Sequence, residues 1–394
     1  MSPLERRAVS SLALLYSFRM LGLFMVLPLL SLYAADMPGA SPAMLGLAIG
    51  AYGLTQALLQ IPAGWLSDRI GRKPVIYAGL AIFALGSFIA AYAETIEGVL
   101  AGRLLQGAGA ISSSVLALVA DVTSSEQRTK AMAVLGISIG VSFTLAMILG
   151  PLLAASGGLA AVFQLTGVLA LLGIAVVALR VPDPPDTGMR HDEVGARANL
   201  LLRSLLDRGL LPLNFGVFVL HFVLMASFLV VPGALENLAG IARENHWQVY
   251  LPVVVLSLLG MLPLLMLAER LHRLRLALSL GIGVLAAAIV LVGSGSSAQA
   301  VYLGMWLFFV AVNYLDATLP SMVSKTVFEG GKGTALGIYA TCQFFGAFAG
   351  GALGGFLLEH YGATAMALAC GTLVLVWLAS ALPAGQPAYA SARI

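Results

Sequence analysis

Long apolar runs, separated by short polar breaks, set the pattern of this chain. A bilayer-spanning helix needs about 20 predominantly apolar residues, and about twelve runs meet that length. They lie at 8–34, 43–66, 74–93, 98–120, 130–154, 160–180, 211–234, 247–268, 276–293, 299–320, 333–357 and 362–383. Residues 131–179 carry no Asp, Glu, Lys or Arg, which is too long for one crossing. That run is expected to divide at Ser156-Gly157-Gly158. The run from Leu276 to Leu315 is expected to divide near Gly293–Gln299. The pattern lapses from Val181 to Leu210. Pro182, Pro184 and Pro185 end the sixth run, and a polar stretch with Arg190, His191, Asp192 and Glu193 follows. Asn199–Leu211 alternates leucines with Arg203, Asp207 and Arg208, as a short helix lying on a membrane surface would. The expected organisation is an all-α membrane protein. A six-helix bundle over 1–180 and another over 211–394 are joined by a cytoplasmic linker, 181–210, with its amphipathic helix.

Composition agrees with lipid as the solvent. The chain is 60% hydrophobic and 10% charged, whereas a soluble globule is about one-quarter charged. Basic residues set the orientation. With both termini in the cytoplasm, eighteen of the 21 basic residues fall on the cytoplasmic side and Arg243 alone falls outside. Arg19 and Arg103 are left within spans. The net charge of +3 then reflects topology, with no nucleic-acid partner implied. Residues 1–34 are too long an apolar run for a cleaved leader and contain Arg19. Cys342 and Cys370 both fall in apolar runs, so neither a disulfide framework nor a metal site is expected. The lack of an Asn-x-Ser/Thr site points to a bacterial plasma membrane. No nucleophile motif or metal-ligand spacing marks an enzyme.

The two halves echo each other. Asp68-Arg69-x-Gly71-Arg72 reappears roughly 200 residues on as Glu269-Arg270-x-His272-Arg273, in the same chain direction. Arg128-Thr129-Lys130-Ala131-Met132 reappears as Lys332-Gly333-Thr334-Ala335-Leu336, and Gly150 then falls on Gly354. The second copy has lost its glycine, so the first is expected to carry more of the function.

The densest charge cluster is Asp68-Arg69-Ile70-Gly71-Arg72-Lys73, a tight loop between the second and third spans. Gly64 permits close helix approach and Gly71 a tight turn. Asp68 and Arg72 are four apart and can pair if the second helix runs through them. Asp121, at the end of the fourth span, is a further partner for Arg72. Four ionisable residues inside spans are costly to keep there: Arg19, Arg103, His221 and Asp316. Asp316 is the expected proton-carrying carboxylate, with Arg103, Arg19 and His221 tuning it. For His221 a hydrogen-bonded packing role is the simpler reading, and for Arg103 a structural bond to carbonyls and Gln106 is an equal alternative. A polar face recurs at Tyr52, Gln56 and Gln60, and again at Tyr339 and Gln343. Phe24, Met25, Met225, Phe228, Phe344 and Phe345 add apolar surface. The expected substrate contacts are Phe24, Tyr52, Gln56, Met225, Phe228, Tyr339, Gln343 and Phe344, although such stripes more often serve helix packing.

The pattern Gly-x-x-x-Asp-Arg-x-Gly-Arg-Lys, from Gly64 to Lys73, resembles the signature loop of the major facilitator superfamily. Gly102-Arg103-Leu104-Leu105-Gln106-Gly107 resembles its Arg-x-x-Gln-Gly motif. Gly136, Gly140 and Gly150-Pro151 match part of its antiporter motif, with Ala154-Ala155 where two glycines are usual. Arg19-Met20-Leu21-Gly22-Leu23-Phe24 and Tyr52-Gly53-Leu54-Thr55-Gln56 are similar to the YajR-like group in the drug:proton antiporter branch. The resemblance implies two pseudo-symmetric six-helix bundles with a site near midplane between them. It implies that Gly64, Asp68, Arg69, Gly71, Arg72, Lys73 and Asp121 form a conformational lock in the outward-open state. The function it implies is proton-coupled efflux of lipophilic or amphipathic small molecules by a monomer in the inner membrane. The proton gradient takes the place of a cofactor. A porter for a sugar, organic acid or amino acid, and a membrane sensor that does not transport, are the alternatives.

Overall fold

The computed structural model describes residues 1–182, 201–293, 297–327 and 332–381. All the regular structure in them is helical, and ten helices are long and apolar enough to cross a membrane. Two of these are of double length, so the described residues carry twelve crossings. Ser125–Arg180 is the fifth and sixth spans, divided at Gly158, where φ is 63°. Lys332–Ala381 is the eleventh and twelfth, divided at Gly362, where φ is 80°. The first division falls within the expected triplet. A side chain at either angle would cost about 1–2 kcal/mol, so a single glycine does the work of a loop.

The remaining spans are Pro3–Tyr33, Pro42–Ile70, Arg72–Ala91, Ile96–Asp121, Leu211–Asn237, Arg243–Glu269, Leu274–Gly293 and Ala298–Thr326. Start signals are local. Ser2 and Glu5 form a capping box at the first helix, and Ser41 caps the second ahead of Pro42. Two spans are broken. The fourth stops at Ala108 and resumes at Ser112, leaving Gly109–Ile111 non-helical. The eighth stops at Gly260 and resumes at Leu262, because Pro263 lacks an amide donor and crowds the carbonyl one turn back. Neither break was expected from the apolar pattern.

The chain divides into two compact units, Met1–Asp192 and Glu193–Ile394. In the first unit the first span packs chiefly on the fifth–sixth hairpin. In the second unit the seventh packs chiefly on the eleventh–twelfth hairpin. These are equivalent contacts of the two repeats. Gly150 lies against Met25 of the first span, and Gly354 against Ala226 of the seventh. The first and seventh spans are the most buried of their units. Leu145, Ile137, Val290, Leu368 and Leu375 are exposed apolar side chains, as lipid contact requires. Of the linker, residues 201–206 are helical, in agreement with part of the amphipathic stretch. Arg190, His191, Asp192, Glu193, Arg197 and Asn199 lie outside the described residues, as do Arg393 and the 294–296 part of the ninth–tenth connection.

Candidate functional site

The loop between the second and third spans is built as the sequence spacing implies. The second helix runs to Ile70, so Asp68 sits one turn before Arg72. Gly71 ends that helix and starts the next at φ 100°, a conformation that only glycine adopts cheaply. Its repeat equivalent, His272, also has positive φ, at 53°. A positive φ is therefore kept where the glycine is not. Arg72 gathers three partners. It pairs with Asp68 through Nη1, with Asp121 through Nε at 3.0 Å, and it donates to Ser67 Oγ at 2.8 Å. Ser67 in turn donates to the carbonyl of Gly64 at 2.7 Å. Arg69 stacks on Trp65 with its guanidinium carbon 3.6 Å from the ring centroid, and Lys73 donates to the carbonyl of Val181 at 2.7 Å.

Other bonds join helix ends at this same face of the first unit. Arg7 donates to Leu179 O at 3.1 Å, and Glu5 accepts from the backbone of Ser124 at 2.8 Å. The ends of the first, second, third, fourth, fifth and sixth spans thus converge on one hydrogen-bonded layer. Asp121 and Lys73, far apart in sequence, are brought into it by the helix lengths. Gly64 lies beside Ser113 of the fourth span, where an added Cβ would come within 3.1 Å of the hydroxyl.

Inside the first unit lies a second polar assembly. Arg19 and Arg103 are each 1% exposed, and neither has a carboxylate partner among the described residues. Arg19 donates to Ser112 Oγ at 2.8 Å, Gln56 Oε1 at 2.8 Å and Gly109 O at 3.2 Å. The break in the fourth span frees that carbonyl, and Arg19 satisfies it at membrane depth. Gln56 passes the chain on to Gln60 at 2.5 Å. Arg103 donates to the carbonyls of Ala48 and Ile49 at 3.2 and 3.3 Å and to Gln106 at 2.9 Å. Gln106 then donates to Ser87 at 2.8 Å. The Tyr52 ring lies beside both cations, 5.9 Å from Arg19 and 5.3 Å from Arg103. Each guanidinium thus exchanges water for fixed dipoles and π faces. For Arg103 this is the carbonyl-and-Gln106 arrangement. Gln56 and Tyr52 belong to this interior, at 0% and 4% exposure, and Gln56 has its carbonyl oxygen committed to Arg19.

The third assembly is in the second unit and joins three spans. His221 Nδ1 lies 3.1 Å from Val217 O, and its Nε2 lies 2.8 Å from Gln343 Nε2. With the amide as donor, Nε2 accepts and Nδ1–H donates, which fixes a neutral tautomer. Asp316 Oδ1 is 3.9 Å from that same Nε2. The imidazole is buried, while the Asp316 side chain is 49% exposed. His221 is thus bonded to Val217 and also faces a reachable carboxylate. Nearby, Asn313 donates to Ser257 at 2.8 Å and ties the tenth span to the eighth.

The other candidate contacts are dispersed. Phe24 packs edge-on against Phe143, with centroids 5.2 Å apart. Met225 and Tyr339 are buried, and Phe344 is half-buried. Phe228 is 3% exposed and lines an apolar cavity inside the second unit with Tyr250 and Met305. Gly136 and Gly140 face open space, whereas Gly107 does not. A Cβ there would collide with the Tyr52 carbonyl, which fixes the crossing of the second and fourth spans. Sequence reasoning missed Ser67, Ser87, Ser112 and the Gly109 carbonyl. Helix-end hydroxyls beside an intramembrane arginine were the available signal.

The profile of the Major Facilitator Superfamily matches residues 12–351. The chain is 43% identical over 395 aligned positions to the inner membrane transport protein YajR of Escherichia coli (strain K12), covering 99% of this chain and 86% of that one. It is 34% identical to an uncharacterized transporter of Buchnera aphidicola subsp. Schizaphis graminum (strain Sg), over 96% of each chain. The quinolone resistance protein NorA of Staphylococcus aureus (strain MRSA252) is 30% identical over 42% of each chain. Among solved structures, a bacterial homologue of the human lysosomal transporter Spinster superposes with a TM-score of 0.78 at 14% identity, covering 98% of this chain and 97% of that one. The human organic anion transporter MFSD10 superposes with a TM-score of 0.72 at 22% identity, covering 97% of this chain and all of that one. With its twelve crossings, its repeated loops and these similarities, the chain is a multi-pass membrane transporter that belongs to the major facilitator superfamily.

Proposed function

We propose that this transporter exports lipophilic or amphipathic small molecules in exchange for protons, by alternating access. The observation that carries the reading is Asp316, a half-exposed carboxylate well inside a span and 3.9 Å from an imidazole held in one tautomer. An acid kept at membrane depth is costly and is as a rule functional. When Asp316 is ionised it attracts a cationic substrate, and when it is protonated that attraction is gone. Proton and substrate then compete for one charge, which is the minimum an antiporter needs. His221 can stabilise the ionised carboxylate only when its Nε2 takes up a proton in place of the bond from Gln343. The partial likeness to a quinolone resistance protein favours lipophilic cargo. In this reading Asp68, Arg72 and Asp121 lock one conformation, both termini face the cytoplasm, and the protein works as a monomer in the inner membrane.

The test is flux in proteoliposomes under an imposed pH gradient, with a panel of dyes and drugs. Wild type should exchange protons for lipophilic compounds, and Asp316→Asn should lose gradient-driven transport, keep binding of neutral compounds and bind cationic ones more weakly. Wild-type flux in Asp316→Asn would remove the assignment. A second reading, a porter for an anionic or polar metabolite, rests on Arg19, a buried cation with no carboxylate partner among the described residues. Proton-linked flux of an organic acid, with no response to lipophiles, would favour it.

A further inference from the structure

We propose that Gln343 is a positioning residue that gates the proton at His221 and decides which span the imidazole is tied to. This role rests on the proton-exchange reading of the same site and supplies its gate.

A neutral imidazole offers one lone pair to a proton. In His221, Nδ1 lies 3.1 Å from Val217 O, a carbonyl that can only accept, so Nδ1 carries the hydrogen. The lone pair is therefore on Nε2. Gln343 Nε2 donates to it at 2.8 Å, while Asp316 Oδ1 stands off at 3.9 Å. A proton delivered by Asp316 thus finds its acceptor already taken. Asp316 itself is open to water, so the block lies at the imidazole and not at the carboxylate.

Backbone packing keeps Gln343 in place. Gly346 and Gly350, three and seven residues on, lie against the carbonyls of Phe218 and Phe222, where a Cβ would collide. The seventh and eleventh spans therefore meet backbone to backbone, whereas the tenth packs less closely on the seventh. Proton transfer then has a definite order. The Gln343 amide turns away and its N–H···N bond breaks. The Asp316 carboxylic acid closes by about 1 Å to hydrogen-bond distance. It gives its proton to the Nε2 lone pair and is left as a carboxylate that accepts from the new N–H. A neutral pair has become an ion pair, with no further reactant. The imidazole has exchanged a bond to the eleventh span for one to the tenth, which links a change of charge to a change of packing partner. Among the described residues, the groups acting on the ring are Asp316 and the Val217 carbonyl. Tyr339 of the eleventh span is within reach of the Asp316 charge, and a phenol stays neutral across the range in which imidazole titrates.

The experiment follows the histidine side chains of the full chain in detergent by isotope-edited NMR through a pH titration, with His221→Phe to assign the signal. In wild type, neutral His221 should carry its hydrogen on Nδ1, and a neutral form with the hydrogen on Nε2 overturns the gate without any variant. Gln343→Met removes the donor at nearly constant volume, with Gln343→Leu as the substitute if it does not fold. The proton affinity of His221 should rise about five-fold, the value of one net hydrogen bond, which moves its midpoint up by about 0.7 pH unit. An unmoved midpoint overturns the gate. So does a lowered one, which would mean that the Gln343 carbonyl turns to hold the protonated ring. In proteoliposomes the pH profile of gradient-driven flux should move up by the same amount, and a moved midpoint with an unmoved flux profile also overturns the gate. Wild-type flux in Asp316→Asn sinks the exchange reading alone, because tautomer and midpoint are read without transport.

Discussion

Replacing Arg72 by alanine removes the centre of the charged layer at the basic end of the first unit. Three interactions are lost, and they are unequal. The pair with Asp68 has 18% exposure on both sides, so it is partly shielded and charge-assisted, worth about 1.5–3 kcal/mol. The pair with Asp121 involves a carboxylate that is 38% exposed, and solvent screening holds it to about 1 kcal/mol or less. The bond to Ser67 adds about 1 kcal/mol. Part of the total is recovered when the freed groups take up water. Arg72→Ala should then cost about 3 kcal/mol, Asp68→Asn about 2 and Asp121→Asn less than about 1. At roughly 2–4 °C per kcal/mol for a unit of this size, the melting temperature of Arg72→Ala should fall by roughly 6–12 °C. Trp65, stacked on Arg69 beside the loop, reports this directly by fluorescence in detergent. A double-mutant cycle between Arg72→Ala and each acid gives the two couplings. The reasoning is refuted if Asp121→Asn proves as costly as Asp68→Asn, or if Arg72→Ala melts like wild type.

Gly107→Val should cost at least about 3 kcal/mol or abolish folding, since the side chain would meet the Tyr52 carbonyl; expression and melting measure this. Gly71→Ala should cost about 1–2 kcal/mol through its φ of 100°, whereas His272→Gly should be neutral or stabilising, both read by melting temperature. Arg19→Lys should lose about 2 kcal/mol, because an ammonium cannot reach Ser112, Gln56 and Gly109 together in the geometry of the guanidinium fork. Reporter fusions at Gly195 and after Ile394 should both give cytoplasmic signals, and a periplasmic signal at either would reverse the assigned orientation.

Most of the spans were legible because each is dictated by its own residues. Apolar length set them, and Gly157-Gly158, like the stretch from Gly293 to Gln299, marked a division that no charge could. The loop at Asp68 was legible for the same reason, since a spacing of four on one helix already places Arg72 beside it. The interior assemblies were not legible to the same degree. Arg19 announced a cost but not its partners, because Gln56, Gly109 and Ser112 come from two other spans whose rotations no local pattern encodes. The breaks at Gly109 and Met261 were hidden inside runs that remain apolar across them. His221 and Gln343 were each found alone, and only the packing of the seventh span on the eleventh makes them a pair.

Gly158 has a consequence for how the chain is made. With one residue turning the fifth span into the sixth, there is no polar loop to be exported separately between them. The first of the two cannot complete its crossing and wait in water at its far end for the second. They are expected to leave the insertion machinery as a single hairpin, and so are the two limbs at Gly362, where Glu359 and His360 precede the turn. In each half of the chain the last two crossings are thus a single event of biogenesis, and a nascent chain halted after only one of them leaves a helix without the partner limb it is built to enter with.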